Sequence, residues 1–181
     1  MKASSILGIL SLLLIGLSSC SPKLTPFTQR LYEENRWTNE ELKRIQFYLS
    51  EDIVLRREVS GGSSEIISGE IKMVDGQKVE EIVIRKGTPG VFVFSPKSER
   101  FAVSFEGGSD ERYLMFGPNP KNGNRYALLA SNWRRRRGQV TYDGRKYYTP
   151  GESAYASLLV DLKRVRKVSV KSRTAKGRTV R

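Results

Sequence analysis

Short runs of alternating apolar and polar residues, separated by turn sequences, fill the chain from Asp52 to Thr149. Side chains on a strand point alternately to its two faces, so this alternation predicts strands with one buried face. Turn dipeptides such as Asp75-Gly76 and Asp143-Gly144 are typical of tight hairpins. We therefore expect a mainly β fold of about eight short antiparallel strands, arranged as a sandwich or a small barrel.

The predicted strands are rich in β-branched and aromatic residues, and turn residues such as Gly, Pro, Asn and Asp lie between many of them. They are residues 53–55, 65–74, 79–86, 91–94, 101–105, 113–116, 126–130, 140–142 and 145–148. Residues 65–86 are expected to form one hairpin, and the Gly- and Pro-rich residues 117–124 a loop.

Helical spacing of apolar residues flanks the strands on both sides. It predicts helices at 27–34 and 39–49 near the amino terminus and at 153–165 near the carboxyl terminus. Thr38 and Glu41 have the spacing of a capping box, which favours a helix start at residue 39. With these helices the fold is α+β by count.

The first twenty residues have the pattern of an export signal. Met1-Lys2 precedes a 12-residue apolar stretch, residues 6–17, which is too short to span a bilayer as a helix. The stretch ends in Leu17-Ser18-Ser19-Cys20, which resembles the lipobox of bacterial lipoprotein precursors. The resemblance implies that residues 1–19 are removed and that Cys20 becomes diacylated. The alternative is a free thiol after an ordinary signal peptide or in an uncleaved anchor.

The resemblance also bears on location and domain bounds. Ser21 stands where an Asp would retain a lipoprotein in the inner membrane, and residues 21–26 contain no acidic surface-export signal. The outer membrane, on its periplasmic face, is therefore expected, with surface exposure as the alternative. We expect an acylated tether at 20–26, a single domain with flanking helices at 27–165, and a basic tail at 166–181.

Charge is distributed very unevenly along the chain. The formal net charge is +13, yet residues 20–133 hold equal numbers of basic and acidic residues. The last 48 residues carry a net +12, and from Lys163 onward there are nine basic residues and no acidic one. Such segregation indicates a contact with an anionic partner.

Nucleic acid is not expected as that partner, because an exported protein meets little of it. The expected partners are the membrane, through the lipid anchor, and an envelope protein with an acidic face or an anionic lipid or glycan. For Arg134 to Arg137 a solvated loop is an equally good interpretation. The residues predicted to contact an anionic partner are Arg134, Arg135, Arg136, Arg137, Lys163, Arg164, Arg166, Lys167, Lys171 and Arg173.

Aromatic residues near the arginines offer another possible site. Trp133, Tyr142 and Tyr147, with Tyr148 next to them in sequence, would form a surface for stacking on sugars or for cation–π contacts if their rings were exposed. Aromatic residues on strands more often belong to the core or to cross-strand pairs.

Catalytic motifs are missing from the sequence. The chain has no His and a single Cys, so we expect no His-based catalysis, no metal site and no cofactor other than the lipid on Cys20. The acidic pairs Glu33-Glu34, Glu40-Glu41 and Glu80-Glu81 are expected on solvated faces, with Glu80 and Glu81 on opposite sides of a strand. We therefore expect a non-enzymatic envelope adaptor or assembly protein. A peptidoglycan- or other glycan-binding protein is the alternative, and a glycan hydrolase with an acidic pair is a third possibility.

Overall fold

Thirteen strands make up most of the computed structural model, which describes residues 23–59, 69–74, 77–109, 111–134 and 136–168. The strands pair antiparallel in two sheets, one of seven strands and one of six. The expected mainly β class is confirmed.

The strands are short and cover the described chain almost from end to end. In chain order they are β1 (Leu24–Pro26), β2 (Gln46–Leu49), β3 (Ile53–Glu58), β4 (Glu70–Val74), β5 (Gln77–Ile84), β6 (Pro89–Lys97), β7 (Arg100–Ser104), β8 (Leu114–Asn119), β9 (Arg125–Leu128), β10 (Ser131–Arg134), β11 (Arg137–Tyr142), β12 (Arg145–Pro150) and β13 (Leu158–Asp161).

The seven-stranded sheet has the order β1, β13, β2, β6, β7, β8, β9, and it curves until its two edges meet. The Tyr126 N–H donates to the Phe27 carbonyl at 3.0 Å, and the Gln29 N–H donates to the Asn124 carbonyl at 2.9 Å. These bonds join β9 to the chain directly after β1. The edge strand β9 therefore finds backbone partners in the segment that follows β1.

The six-stranded sheet has the order β10, β11, β12, β3, β5, β4. Its inner face contributes Ile53, Leu55, Ile84 and Val140 to the same buried cluster as the seven-stranded sheet. Two sheets that share one core form a sandwich-like arrangement, which is one of the two arrangements that the strand pattern allowed.

Phe27 lies at the centre of an aromatic group within that core and is fully buried. Its ring centroid is 5.0 Å from that of Tyr126, 5.3 Å from that of Phe47 and 5.7 Å from that of Phe101. Edge-on and tilted contacts of this kind stabilise a core beyond the burial of apolar area alone.

The first predicted helix is confirmed within a residue or two. Helix α1 (Gln29–Asn35) begins after Thr28, whose side-chain oxygen accepts from the Leu31 N–H. Helix α2 (Asn39–Leu42) has the predicted capping box between Thr38 and Glu41.

The prediction that α2 continues to residue 49 is wrong. The chain leaves the helix after Leu42 and forms β2, in which Phe47 and Leu49 are fully buried. The apolar spacing fits a helix, but β2 lies between β13 and β6 and pairs with both. Two ladders of interstrand hydrogen bonds outweigh the local helical preference.

The predicted helix at 153–165 is also wrong in its first part. A 3-10 helix, Gly151–Tyr155, leads into β13, and helix α3 (Leu162–Val168) follows. Leu158 and Val160 are fully buried because β13 lies between β1 and β2.

The hairpin predictions agree with the structure where it can be compared. Strands β4 and β5 pair up to Val74 and Gln77, while residues 65–68 and the turn at 75–76 lie outside the described residues. Strands β11 and β12 meet at Asp143 and Gly144, both of which have positive φ, as a tight hairpin turn requires. Strand β10 was not predicted.

Two predicted boundaries shift. Leu24–Pro26 is a paired strand, so the folded domain begins within the expected tether of 20–26. Helix α3 reaches residue 168, so the first residues of the expected tail at 166–181 continue a helix. The signal peptide at 1–19 and residues 169–181 lie outside the described residues.

Replacing Phe27 by Ala should lower the free energy of unfolding by about 3–5 kcal/mol, because the fully buried ring leaves a cavity among other aromatic rings. Urea denaturation measures the change. Tyr155→Ala serves as the control, since that side chain is 62% exposed, and it should change stability by less than about 0.5 kcal/mol. If Phe27→Ala lowered the free energy of unfolding by less than about 1 kcal/mol, Phe27 would not be central to the packing of the core.

Candidate functional site

The first candidate surface lies where β1 and β13 pair. Leu24 is the register partner of Asp161, so the chain enters the domain and leaves it for α3 at the same place. Lys163 and Arg164 follow at once and are exposed, and Arg164 Nε lies 3.6 Å from Asp161 Oδ2. Lys23 is also exposed there.

Arg44 belongs to the same surface, because it borders a small cleft with Asp161 and Arg164. We call Lys23, Arg44, Lys163 and Arg164 the terminal cations. Of these four cations, Arg164 is the one that pairs with a carboxylate within the described ranges.

Several predicted contact residues cannot be placed. Cys20, Arg135, Lys171 and Arg173 lie outside the described residues. Arg166 and Lys167 lie in α3, but their side chains are not described.

The second candidate surface is the outer face of the six-stranded sheet. Arg134 and Arg137 are register partners across the β10–β11 turn, and both are exposed, as is Arg136 between them. Arg136 has a φ of 64°, and its carbonyl oxygen lies against Gly151. The structure thus brings three of the four predicted arginines together at one turn.

A groove of about 810 Å³ runs across this face, and we call it the basic groove. Four of its side chains are cations, one is a carboxylate, two are amides and one is a tyrosine. They are Arg57, Arg134, Arg137, Lys146, Glu58, Asn132, Gln139 and Tyr148.

The cations of the basic groove are largely free to meet a ligand. Arg57 pairs with Glu80, and the Lys146 ammonium donates to Thr141 Oγ1 at 2.6 Å. Among the residues that the structure describes, no carboxylate pairs with Arg134, Arg137 or Lys146. The groove therefore has a local excess of positive charge.

The predicted aromatic surface is wrong for Tyr142 and Tyr147. Tyr142 and Tyr147 are 1% and 2% exposed, so neither ring can stack on a sugar. Trp133 is 44% exposed, but its ring packs so closely on Gly138 that a Cβ added there would come within 2.9 Å of it. Its indole N–H donates to the Ala130 carbonyl at 3.1 Å.

Tyr148 is the exposed aromatic residue of the basic groove, at 48%, although the sequence favoured Trp133, Tyr142 and Tyr147 as the stacking residues. Tyr147 and Tyr148 are neighbours on β12, so one ring must point inward and the other outward. Because Tyr148 lies two residues from the charged Lys146 on the same strand, the sequence could have indicated that Tyr148 shares the solvent-facing side with it.

Tyr142 has a structural role instead. Its hydroxyl donates to Glu106 Oε1 at 2.5 Å, and Arg112 binds both Glu106 and Asp143 nearby. Burial, followed by the hydrogen bond to Glu106, raises the pKa of Tyr142 well above its ordinary value.

The expectation of solvated faces for Glu80 and Glu81 is wrong, although the two do point to opposite faces. Glu80 is fully buried and binds Arg57 at 2.6 Å; Glu81 is 8% exposed and binds Arg56 at 2.7 Å. Each arginine is the register partner of its glutamate across β3 and β5. Because each glutamate faces an arginine of opposite charge, the free-energy cost of burying the two carboxylates is offset.

The acidic pairs of the helices lie at the surface, as predicted, and have local partners. Glu34 pairs with Arg30 and Glu40 with Lys43, while Glu41 serves the capping box. In the described ranges, no group of three or more acidic, Cys or His side chains is placed to hold a metal ion.

Of the helices that the structure describes, none has the length and apolar character needed to cross a bilayer. No protein-family model, curated protein or solved structure matches this chain.

Alkaline pH should destabilise the protein through Tyr142. Its pKa is raised in the folded state, so above the ordinary value of 10.0 the unfolded chain loses this proton while the folded chain keeps it. The free energy of unfolding should then fall by up to about 1.4 kcal/mol for each pH unit above about pH 10. Urea denaturation over this pH range measures the slope.

Tyr142→Phe is the matched variant, because it keeps the ring and removes the ionisable hydroxyl. It should be less stable at neutral pH through loss of the bond to Glu106, and its stability should fall less steeply above about pH 10. Equal alkaline slopes for the two proteins would exclude this role for Tyr142.

Proposed function

We propose that this chain is a non-enzymatic, lipid-anchored adaptor of the bacterial cell envelope. Acylation of Cys20 would hold it to the periplasmic face of the outer membrane. The basic carboxyl-terminal region would contact anionic head groups, leaving the basic groove for an acidic face of a partner protein. The observation that carries the proposal is the pairing of Leu24 with Asp161.

That pairing sets the distance between the anchor and the basic region. Cys20 precedes Leu24 by four residues, which reach at most about 14 Å when fully extended. Because α3 begins beside Leu24, an acyl chain on Cys20 would bring Lys163 and Arg164 close to the bilayer surface.

Charge supports the same arrangement. Each Lys or Arg near an anionic membrane surface contributes about 1 kcal/mol, and the attraction decays over about 8 Å. The terminal cations lie within that zone under the proposal, and the sequence continues with Arg166, Lys167, Lys171 and Arg173.

Removal of the anchor tests the first half of the proposal. In a bacterial host that processes lipoproteins, Cys20→Ser should move the protein from the membrane fraction to the soluble fraction. Intact-mass measurement of the native chain should show an acylated amino-terminal cysteine. An unmodified thiol would refute the anchor and return nucleic acid to consideration as the partner of the basic region.

Vesicle binding tests the second half. With Cys20→Ser present so that acyl insertion cannot dominate, the mature chain should bind vesicles containing phosphatidylglycerol and not vesicles of phosphatidylcholine alone. Adding Lys163→Gln and Arg164→Gln should weaken this binding by about tenfold, since two charges are lost. Co-sedimentation with the vesicles measures the affinity.

The matched control is Lys121→Gln with Arg125→Gln, two exposed cations near the β8–β9 connection. It removes the same charge from another surface and should weaken binding by less than about threefold. Equal losses for both pairs would mean that net charge, and not the position of α3, determines binding.

A second candidate function is binding to peptidoglycan or another anionic glycan, and the exposure of Tyr148 favours it. In the basic groove this ring lies with the Asn132 and Gln139 amides and the Arg137 guanidinium. Aromatic faces, amides and cations suit the apolar faces, hydroxyls and carboxylates of such a sugar.

Under this second function, Tyr148→Ala should reduce co-sedimentation with purified peptidoglycan by about tenfold, whereas Tyr155→Ala should leave it unchanged. Both rings are exposed, at 48% and 62%, but Tyr148 is the one that lines the groove. Equal behaviour of the two variants would exclude glycan stacking at Tyr148.

A further inference from the structure

We propose that a second, apolar groove binds one long-chain fatty acid. The alkyl chain would lie along the side of the seven-stranded sheet that carries Phe94, and the carboxylate would meet Lys97 and Arg100. The groove has a volume of about 750 Å³, within the range of small-molecule sites. Its apolar walls include Phe94, Pro96, Tyr113, Met115, Leu129 and Val140. This site does not depend on the function proposed above.

A β-bulge turns Phe94 toward the groove. Phe92 is the register partner of Val103, but Phe94 is that of Ala102, so the ladder shifts between them. Without the shift, Phe92 and Phe94 would point to the same face. Instead Phe92 is 3% exposed in the core and Phe94 is 37% exposed on the opposite side. Bulges often redirect a side chain in this way near functional sites.

Two long apolar side chains lie next to each other on that side of the seven-stranded sheet. Phe94 and Met115 are both register partners of Ala102, which is fully buried between them. The Tyr113 ring packs edge-on against Phe94 with centroids 5.0 Å apart. An alkyl chain in the groove would contact these apolar side chains.

Two cations lie at one end of the groove. Lys97 and Arg100 are register partners beside the β6–β7 turn, and both are exposed. The Ser95 hydroxyl is 2.7 Å from the Lys97 carbonyl and 2.9 Å from the Arg100 carbonyl, which fixes this end of the hairpin.

No acidic side chain neutralises this pair in the part of the chain that the structure describes. Glu99 lies between them in sequence, but its carboxylate accepts from the Gln29 amide. A carboxylate ligand would therefore find two available donors next to an apolar surface.

Charge also argues against a second copy of the chain as the occupant. A symmetric contact through this groove would bring two Lys97 and two Arg100 side chains to one interface with no compensating acid. A single acyl chain with one negative end satisfies both the apolar walls and the cations.

Calorimetric titration with three ligands tests the proposal on the mature chain, residues 20–181, carrying Cys20→Ser. Palmitate should bind saturably with one site, hexadecanol should bind about tenfold more weakly, and acetate should not bind measurably. No saturable binding of palmitate, or equal affinity for the alcohol, would overturn the proposal.

Two variants locate the site. Phe94→Asp should weaken palmitate binding by at least about tenfold, because it places a negative charge on the apolar wall. Lys97→Ala with Arg100→Ala should weaken palmitate binding by about tenfold and leave hexadecanol unchanged. This pair is exposed in a hairpin, so it tests the site even if Phe94→Asp fails to fold.

Lys121→Ala with Arg125→Ala is the charge-matched control and should change palmitate affinity by less than about twofold. Circular dichroism and the melting temperature verify that each variant is folded. If the control weakens binding as much as the Lys97 and Arg100 pair, the groove is not the site. The vesicle experiments test Lys163 and Arg164 instead of Lys97 and Arg100, so the two proposals fail separately.

Discussion

The closure of the seven-stranded sheet around Phe27 is the constraint on which the rest of the structure depends. The Phe27 N–H donates to the Leu158 carbonyl at 2.8 Å, its carbonyl accepts from Tyr126, and its ring fills the centre of the aromatic group. One residue thus connects β13, β9 and the core. Helix α1 begins two residues later, so its position follows from the same closure.

Local signals predicted part of this fold, and long-range pairing decided the rest. The capping box of Thr38 and the turn at Asp143-Gly144 are encoded within a few residues, and both were predicted correctly. Strand β2 was not, because the spacing of Leu42, Ile45 and Leu49 fits a helix equally well. Its partners lie in β6 and β13, more than 40 residues away, and no nearby residue indicates them.

The same distinction applies to the candidate sites. The arginines at the β10–β11 turn were visible in the sequence, yet the groove they line depends on β12 and β3 as well. Which of Tyr147 and Tyr148 faces solvent follows from the register of β12, as does the burial of Glu80 from its register with Arg57. The apolar groove depends on a bulge in β6, which the sequence of that strand does not reveal.

The pairing of β1 with β13 also determines how mechanical load would enter this protein. A pull from the amino-terminal side acts first on Leu24 and on a strand of only three residues. A pull directed along β1 would load its hydrogen bonds to β13 together, in shear, and would not open them one at a time. Beyond Pro26 the load reaches the buried Phe27 ring, which would have to leave the core before the sheet could open. A load applied at Leu24 would therefore meet the resistance of a buried side chain as well as that of a strand.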